Sequence, residues 1–439
     1  MRESAYNFWV ERNGTHYVYN GVQGSLLRIS AEGRDILHRW LRGEPGLVCP
    51  PGLLAALLGG GMLVGEGEDE LARLESRYRK ASRSSRFLGL AVVTSLGCNL
   101  DCPYCFEAKQ PSLLDAEVQE AILAFLDERL PYVSGLRLTW YGGEPLLGKR
   151  ALLELSDQCI ACCDRTGVTY EAELYTNGLL LDRKTCEDLA ARRVRRVQIS
   201  LDGPQEVHDR MRPRAGGGGS FHSILRNLHA AVEFFQVRVR VDLDTENYGR
   251  VEELFQVLAQ EGFAGKLRVY PGKLLDLDDA PGAPSGSYRG ACFSAAAFAK
   301  AEADFQTLAA RYGLTEPSLP RPAWTPCTAV RAGDLIVGSR GELYKCFHTV
   351  GNPEQVVGNI RDFRDPNSRI RQWLDYDPFA DRECRSCPAL PVCMGGCAHL
   401  AMDTRLREHR CTTFRHNWHA QVLAFVQSAE CDEVSASPV

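Results

Sequence analysis

This chain lacks a dominant charge. Its 51 Lys and Arg face 56 Asp and Glu, so no strong field marks it for nucleic acid or for an anionic membrane. It also lacks a long apolar run. The longest, Leu53 to Val64, is broken by three glycines and is too short to span a bilayer. The N-terminal stretch Met1 to Phe8 is polar, without the apolar core of a secretory signal. What the chain has in excess is cysteine, 17 in 439 residues. In so long a chain, with no secretory start, reduced metal-binding thiols explain them better than a disulfide framework. The expectation is a cytoplasmic protein without nucleic-acid or membrane partners, long enough for two or three domains. The basic knot Arg192, Arg193, Arg195, Arg196 reads as the solvated end of a helix running into a strand.

Cys98, Cys102 and Cys105 stand in the run Ser95-Leu-Gly-Cys-Asn-Leu-Asp-Cys-Pro-Tyr-Cys-Phe106, directly after the strand-like stretch Phe87 to Thr94. Three thiolates at this spacing hold three irons of a [4Fe–4S] cube. Such cubes usually have four cysteine ligands, so one iron is left open, and an open metal position is where substrate chemistry happens. A zinc site or scattered core cysteines are the alternatives. The run resembles the signature of the radical S-adenosylmethionine (SAM) superfamily. That resemblance implies SAM chelated at the open iron and split by one electron into methionine and a 5′-deoxyadenosyl radical, which removes a hydrogen atom from substrate.

From about Phe87 to Tyr270 short β-rich runs alternate with helical patterns. Strands are expected at Leu88–Thr94, Leu136–Tyr141, Thr169–Thr176, Arg196–Leu201, Val237–Leu243 and Lys266–Tyr270, with amphipathic helices between them. Such alternation argues for an α/β fold with a parallel sheet and crossover helices. Six units fit a partial TIM-like (β/α)6 barrel, the fold of the superfamily, whose active residues cluster at strand C-termini.

Several motifs fall at those ends. Tyr141-Gly-Gly-Glu-Pro145 resembles the family's GGE motif, which implies that Gly142, Gly143 and Glu144 meet the SAM ammonium; an ordinary turn is the alternative. Asn177 sits in Tyr175-Thr-Asn-Gly178, by itself a commonplace turn. Ser200 and Asp202 resemble the pair that hydrogen-bonds the SAM ribose. Arg212 resembles the arginine that pairs with the SAM carboxylate, as a guanidinium can, against a plain salt bridge. Asn247 is either a SAM contact or a helix N-cap, and Tyr104, inside the cysteine run, joins the cofactor set. A general base is not singled out; Glu107, Asp242 and Asp244 lie near strand ends. Gly216 to Gly219 reads as linker.

A second cysteine set lies C-terminal: Cys384-x2-Cys387-x5-Cys393-x3-Cys397 and then Cys411, with Cys327 and Cys346 upstream. Without a family, these residues read equally as a paired zinc ribbon. They resemble the SPASM extension, the auxiliary-cluster domain of many peptide-modifying radical SAM enzymes. The resemblance places Cys384, Cys387, Cys393 and Cys411 on one [4Fe–4S] cluster and Cys327, Cys346 and Cys397 on another, three clusters in all. Sulfatase-maturating members carry a further cysteine just before the position of Cys327, where Pro317–Pro326 has none. Cys292 is either the missing ligand or a buried free thiol; otherwise that cluster keeps an open iron. Cys159, Cys162 and Cys163 sit in an amphipathic helix and read as core. Cys49, Cys186 and Cys431 have no evident partner.

Residues 1–85 precede the barrel. Short strands at Tyr6–Val10, His16–Asn20 and Leu26–Ile29, then helices at Ala31–Arg42, Gly52–Leu58 and Glu68–Ser85, resemble loosely the winged-helix leader-recognition domain of ribosomal-peptide (RiPP) maturases, which captures a peptide on a sheet edge. A structural cap on the barrel is the alternative. Domains are expected at 1–85, 86–285 (barrel) and 286–428 (loop-rich iron–sulfur), with a frayed tail at 429–439. The resemblance implies an oxidoreductase that takes a ribosomally made precursor peptide and a flavodoxin- or ferredoxin-type donor and closes a thioether or carbon–carbon cross-link. Formylglycine formation on a sulfatase is the second reading, and a non-catalytic metal-binding or electron-transfer protein the third.

Overall fold

Val237, Val239 and Val241 alternate with Arg238, Arg240 and Asp242 along one strand, and this period of two, repeated over six strands, sets the architecture. The computed structural model describes the chain apart from residues 276–282, 289–291, 365–366 and 436–439; at 287 and 430–435 only the backbone is considered. Gly290 and Ala291, next to Cys292, and the end of the tail therefore lie outside the described residues, as does the side chain of Cys431.

The N-terminal unit has β1 (Arg2–Glu3), β2 (Asn7–Arg12), β3 (Thr15–Asn20), β4 (Ser25–Ile29), α1 (Ala31–Leu41), α2 (Pro51–Gly59), β5 (Leu63–Val64) and α3 (Glu70–Arg83). β2, β3 and β4 form an antiparallel sheet, and β1 pairs with β5. Asn13 and Gly14 both take positive φ in the two-residue turn between β2 and β3, as the twist of a hairpin requires.

The barrel unit alternates β6 (Phe87–Ser95), α4 (Ala116–Arg129), β7 (Gly135–Gly142), α5 (Lys149–Thr166), β8 (Thr169–Tyr175), α6 (Arg183–Ala191), β9 (Val194–Ser200), α7 (Gln205–Met211), α8 (Phe221–Phe234), β10 (Gln236–Leu243), α9 (Val251–Gln260) and β11 (Leu267–Lys273), followed by α10 (Ala295–Arg311). Asp115 and Asp182 cap α4 and α6 by accepting from the amides of Val118 and Thr185 at 2.8 Å. Neighbouring strands from β6 to β11 are parallel. Val92, Leu138, Trp140, Leu174, Val197, Ile199, Val239 and Val241 bury one face of the sheet under the helices. Cys159, Cys162, Cys163 and Cys186 belong to that packing, so the core reading of the helix cysteines holds.

The remainder contains β12 (Asp334–Val337), β13 (Glu342–Tyr344), β14 (Gly358–Asn359), α11 (Arg369–Leu374), α12 (Arg382–Arg385), α13 (Leu390–Cys393), α14 (Ala398–Met402) and α15 (Phe414–Ser435), the last kinked at Asn417. β12 pairs in parallel with β6, so the sheet runs β11-β10-β9-β8-β7-β6-β12-β13-β14. A boundary at 285 therefore does not divide the sheet from the C-terminal segment, which returns to extend the sheet at its first edge. α15 likewise continues as helix to Ser435, past the point where a frayed tail is expected.

The N-terminal unit packs on this C-terminal segment. Phe8 meets Phe414 edge-on at 5.0 Å and Trp418 at 5.3 Å, while Leu74 and Tyr78 of α3 pack with Phe379, Cys384, Leu390 and Met394. The Tyr78 hydroxyl donates to the Tyr376 carbonyl at 2.5 Å. Among the described residues no helix is long and apolar enough to cross a membrane.

Candidate active site

The cysteine loop leaves the C-terminal end of β6 and is clamped by the end of β7. Gly142 has φ +137°, and a Cβ there would overlap the Ser95 carbonyl oxygen; at Gly143 it would crowd the Leu96 and Gly97 carbonyls at 2.8 and 2.6 Å. The amides of Gly143 and Glu144 donate to the Ser95 and Gly97 carbonyls at 3.0 and 2.9 Å. The sequence reading assigns these glycines to a close approach of ligand. In the structure they let the backbone approach the cysteine loop itself.

Glu144 is wholly buried. Its carboxylate accepts from Thr176 Oγ1 at 2.8 and 2.9 Å, from the Asn177 amide at 2.8 Å and from the Leu146 amide at 2.9 Å. It thus ties the end of β7 to the end of β8. Burial pushes its carboxyl up to about 7, with the two amides and the hydroxyl pulling the other way. Asn177 carries the tie onward: Nδ2 donates to Asn99 Oδ1 at 2.7 Å and lies 3.7 Å from Cys98 Sγ.

On the far side, Asp202, fully buried after β9, accepts from Arg212 Nε at 2.7 Å, from the Asp242 amide at 3.0 Å and from the Tyr104 hydroxyl. Arg212 Nη2 donates to Asp242 Oδ2 at 2.8 Å, and its guanidinium lies over the Tyr104 ring, 5.4 Å from the centroid. Arg212 is therefore engaged inside the protein, not at a helix surface. Asn247 donates from Nδ2 to the Asp202 and Asp242 carbonyls at 3.0 and 2.7 Å and accepts from the Asp244 amide at 3.0 Å. It makes no side-chain cap on the following turn; it staples the ends of β9 and β10. Ser200 is buried at the end of β9. Glu107 is buried beside Tyr141, and burial pushes its carboxyl up to about 7.

Cys98, Cys102 and Cys105 share one apolar wall with Leu100, Tyr104, Met211 and Leu274, and Cys292 packs against the same wall. Cys292 also lies in the electrostatic reach of Lys273, which lines a cavity with Cys327 and Cys397, so it stands between the first group and the auxiliary set to which the sequence reading offers it. Burial pushes the Cys102 thiol up to about 11 and that of Cys105 up to about 12, a cost that a bound cation offsets by taking the thiolates outright. Among the described residues no three His, Cys, Asp or Glu converge on one point. Three thiols on one short loop against one wall are the donors a [4Fe–4S] cube takes, one iron to each thiolate. The donor set fits a cube.

Cys393 lies in the electrostatic reach of both Cys387 and Cys411, and Cys384 in that of Cys393. Arg415 Nη1 stands 3.1 Å from Cys411 Sγ, a cation placed on a thiolate position. Cys327, Cys397 and Cys411 line one cavity of about 440 Å³. Gly396, φ +71°, has no room for a Cβ against the Arg410 carbonyl, to which the Cys397 amide donates at 2.7 Å. Phe106, next to Cys105, packs on His348, 4.5 Å between centroids, and His348 stacks on His399 at 5.6 Å; these histidines follow Cys346 and Cys397 by two residues.

Residues 92–258 match the family model described as the Radical SAM superfamily. Those residues form a radical SAM domain. This radical SAM protein is 25% identical over 329 residues to the serine-type anaerobic sulfatase-maturating enzyme of Klebsiella aerogenes, covering 69% of this chain and 78% of that one. Among solved structures, anSMEcpe with bound AdoMet and Cp18Cys peptide has a TM-score of 0.57 at 20% identity, covering 79% of this chain and 98% of that one. Streptococcus suis SuiB bound to precursor peptide SuiA has a TM-score of 0.53 at 14% identity, covering 94% and 99%. These structures share the fold, a partial barrel with a parallel sheet. A radical SAM domain implies SAM and a [4Fe–4S] cluster.

The sequence reading missed the side chains on the inner face of the sheet: Arg137, Glu173, Arg196, Arg238, Arg240 and Arg268. The signal was present as polar residues in strict alternation with the buried ones, as in Gln236–Leu243.

Proposed function

We propose that this protein oxidises a side chain of a peptide or protein substrate by radical SAM chemistry, with Cys98, Cys102 and Cys105 holding the SAM-binding cluster. Cys384, Cys387, Cys393 and Cys411 hold one auxiliary cluster, and Cys327, Cys346 and Cys397 a second. The observation that supports this reading is the ring stack from Phe106 through His348 to His399, which links the loop of Cys105 to the segments that follow Cys346 and Cys397. Bound together, cluster and SAM supply hydrogen-atom abstraction from an unactivated carbon.

The chain's own residues do the positioning. Glu144, Thr176 and Asn177 fix the cysteine loop, with Asn177 against Cys98. Gly142 and Gly143 keep the loop close to β7. Asp202 orients Tyr104 and Arg212 on the opposite wall, Asn247 locks the strand ends beneath them, and Ser200 completes that wall. The amino, carboxylate and ribose groups of SAM are assigned to this rim. Holding reactants in a fixed geometry can supply roughly 7–11 kcal/mol of barrier reduction.

Two substrates fit. The relatives are named for anaerobic sulfatase maturation, which supports formylglycine formation on a sulfatase. The N-terminal sheet, whose strand β4 is an edge, supports a ribosomally made precursor peptide, a strand added there and a cross-link closed at the barrel. A small reducing protein is the electron donor in either case. Anaerobically reconstituted enzyme with SAM and dithionite is expected to release 5′-deoxyadenosine. A sulfatase-motif peptide then gains a hydrazine-reactive aldehyde under the first substrate; a ribosomally made precursor peptide loses two hydrogens without one under the second. Zinc in place of iron with no cleavage of SAM would overturn the proposal.

A further inference from the structure

The inner face of the parallel sheet carries cations in register. Gln198, Arg238 and Arg268 are neighbours across β9, β10 and β11, with Arg240 and Tyr270 in the adjacent row. Like charges side by side across strands destabilise a sheet; Arg238 and Arg268 are both exposed, so water softens that cost and leaves both guanidinium groups open to an incoming anion.

The anions nearby are committed elsewhere or weakly held. Arg240 donates to Asp242 Oδ1 at 2.7 Å, and Arg196 faces Glu173 at 3.3 Å. Arg268 meets Glu316 at 2.6 Å, but both side chains are mostly exposed, and such pairs are worth little. Glu302, in the same wall, accepts from Asn417 Nδ2 at 3.1 Å, and its burial favours the neutral acid. Among the described residues Arg238 makes no ion pair. It opens into a cavity of about 330 Å³ also lined by Arg268, Tyr270, Thr315, Ser318 and Gln421. Glu302 and Glu316 line it too; with the first buried toward its neutral acid and the second in an exposed pair, the two guanidinium groups among hydroxyls and amides suit a further carboxylate.

The position adds a length. Arg238 precedes Asp242 by four residues on one strand, roughly 13 Å at the rise of a β-strand, and Asp242 belongs to the network around Arg212 and Tyr104. An extended peptide spans that distance in about four residues.

We propose that Arg238, with Arg268 beside it, binds an acidic side chain of the substrate peptide, about four residues from the one that reacts. The inference rests on the peptide-substrate reading above and names the class of peptide: acidic near the modified site.

The test uses the anaerobically reconstituted holoenzyme and two fluorescein-labelled peptides, one alternating Glu and Gly, the other alternating Gln and Gly. Fluorescence anisotropy is expected to show the Glu peptide binding about tenfold more tightly, a difference of about 1.4 kcal/mol, and weakening as salt rises. Arg238→Ala abolishes the preference and Arg238→Lys keeps part of it. Equal binding of the two peptides, or a preference unchanged in Arg238→Ala, would overturn the inference. Peptide-independent release of 5′-deoxyadenosine is read in the same samples and is expected to survive Arg238→Ala. Its absence from the unaltered enzyme would sink the functional proposal; its presence without a peptide preference would sink only this inference.

Discussion

Arg212 donates through Nε to Asp202 at 2.7 Å while both side chains are buried at the mouth of the sheet. The same guanidinium reaches Asp242 at 2.8 Å, which Arg240 also meets at 2.7 Å, so one cation bridges carboxylates from the ends of two strands. Removing a single partner from such a network strands an uncompensated charge. Arg212→Ala is therefore expected to lower stability by roughly 3–5 kcal/mol, read from urea unfolding. Arg212→Lys falls between, since it restores charge without the two-point contact. A loss below about 1 kcal/mol, the range of an exposed pair, would contradict the arrangement.

Glu144 gives a pH signature. Its buried carboxyl sits at about 7 against a reference of 4.5. A raised carboxyl contributes stability that is fully present below the reference value and is lost as pH rises through the folded value. The unfolding free energy of the unaltered protein relative to Glu144→Gln should thus fall by roughly 3 kcal/mol between pH 4.5 and 7.5. Comparing the pair cancels the similar slope from Glu107. A difference that stays flat across this range would show that Glu144 is ionised throughout.

Two glycines separate clamp from linker. Gly142→Ala drives a methyl into the Ser95 carbonyl and should displace the cysteine loop, so reconstituted protein loses about four irons as well as stability. Gly217, φ +98° with nothing within 4 Å, has only backbone strain to lose, roughly 1–2 kcal/mol, and Gly217→Ala should keep its iron. Equal iron in the two variants would refute the clamp.

The cysteine sets are separable by metal analysis. Replacing Cys98, Cys102 and Cys105 by Ala should remove about four of about twelve irons and all cleavage of SAM. Replacing Cys384 and Cys393 should remove a different four and leave cleavage without peptide. Cys292→Ala should leave the auxiliary iron unchanged, because Cys292 packs beside the first group; a loss there would restore it as an auxiliary ligand.

The six parallel strands were legible because each reads as an apolar row against a helix, and their observed ends fall within three residues of the sequence reading. β12 was not, because Asp334–Val337 is four residues long and its partner β6 lies far back in the chain. α10 was hidden by its alanines, which give a weak apolar stripe. The cysteine loop was legible from spacing alone. What spacing does not carry is the network behind the motifs: Glu144, Arg212 and Asn247 each also bond the protein's own backbone or carboxylates. Period-two patterning marks the buried face of a strand and leaves the other face looking like solvent, which is why the arginine row went unread.

The central claim is that the loop carrying Cys98, Cys102 and Cys105 holds a cluster with one iron free for SAM. Electron paramagnetic resonance of the reduced protein, with Cys327, Cys346, Cys397, Cys384, Cys387, Cys393 and Cys411 replaced to silence the other centres, tests it most directly. The account predicts one [4Fe–4S] signal that changes shape when SAM is added. A signal indifferent to SAM would contradict it.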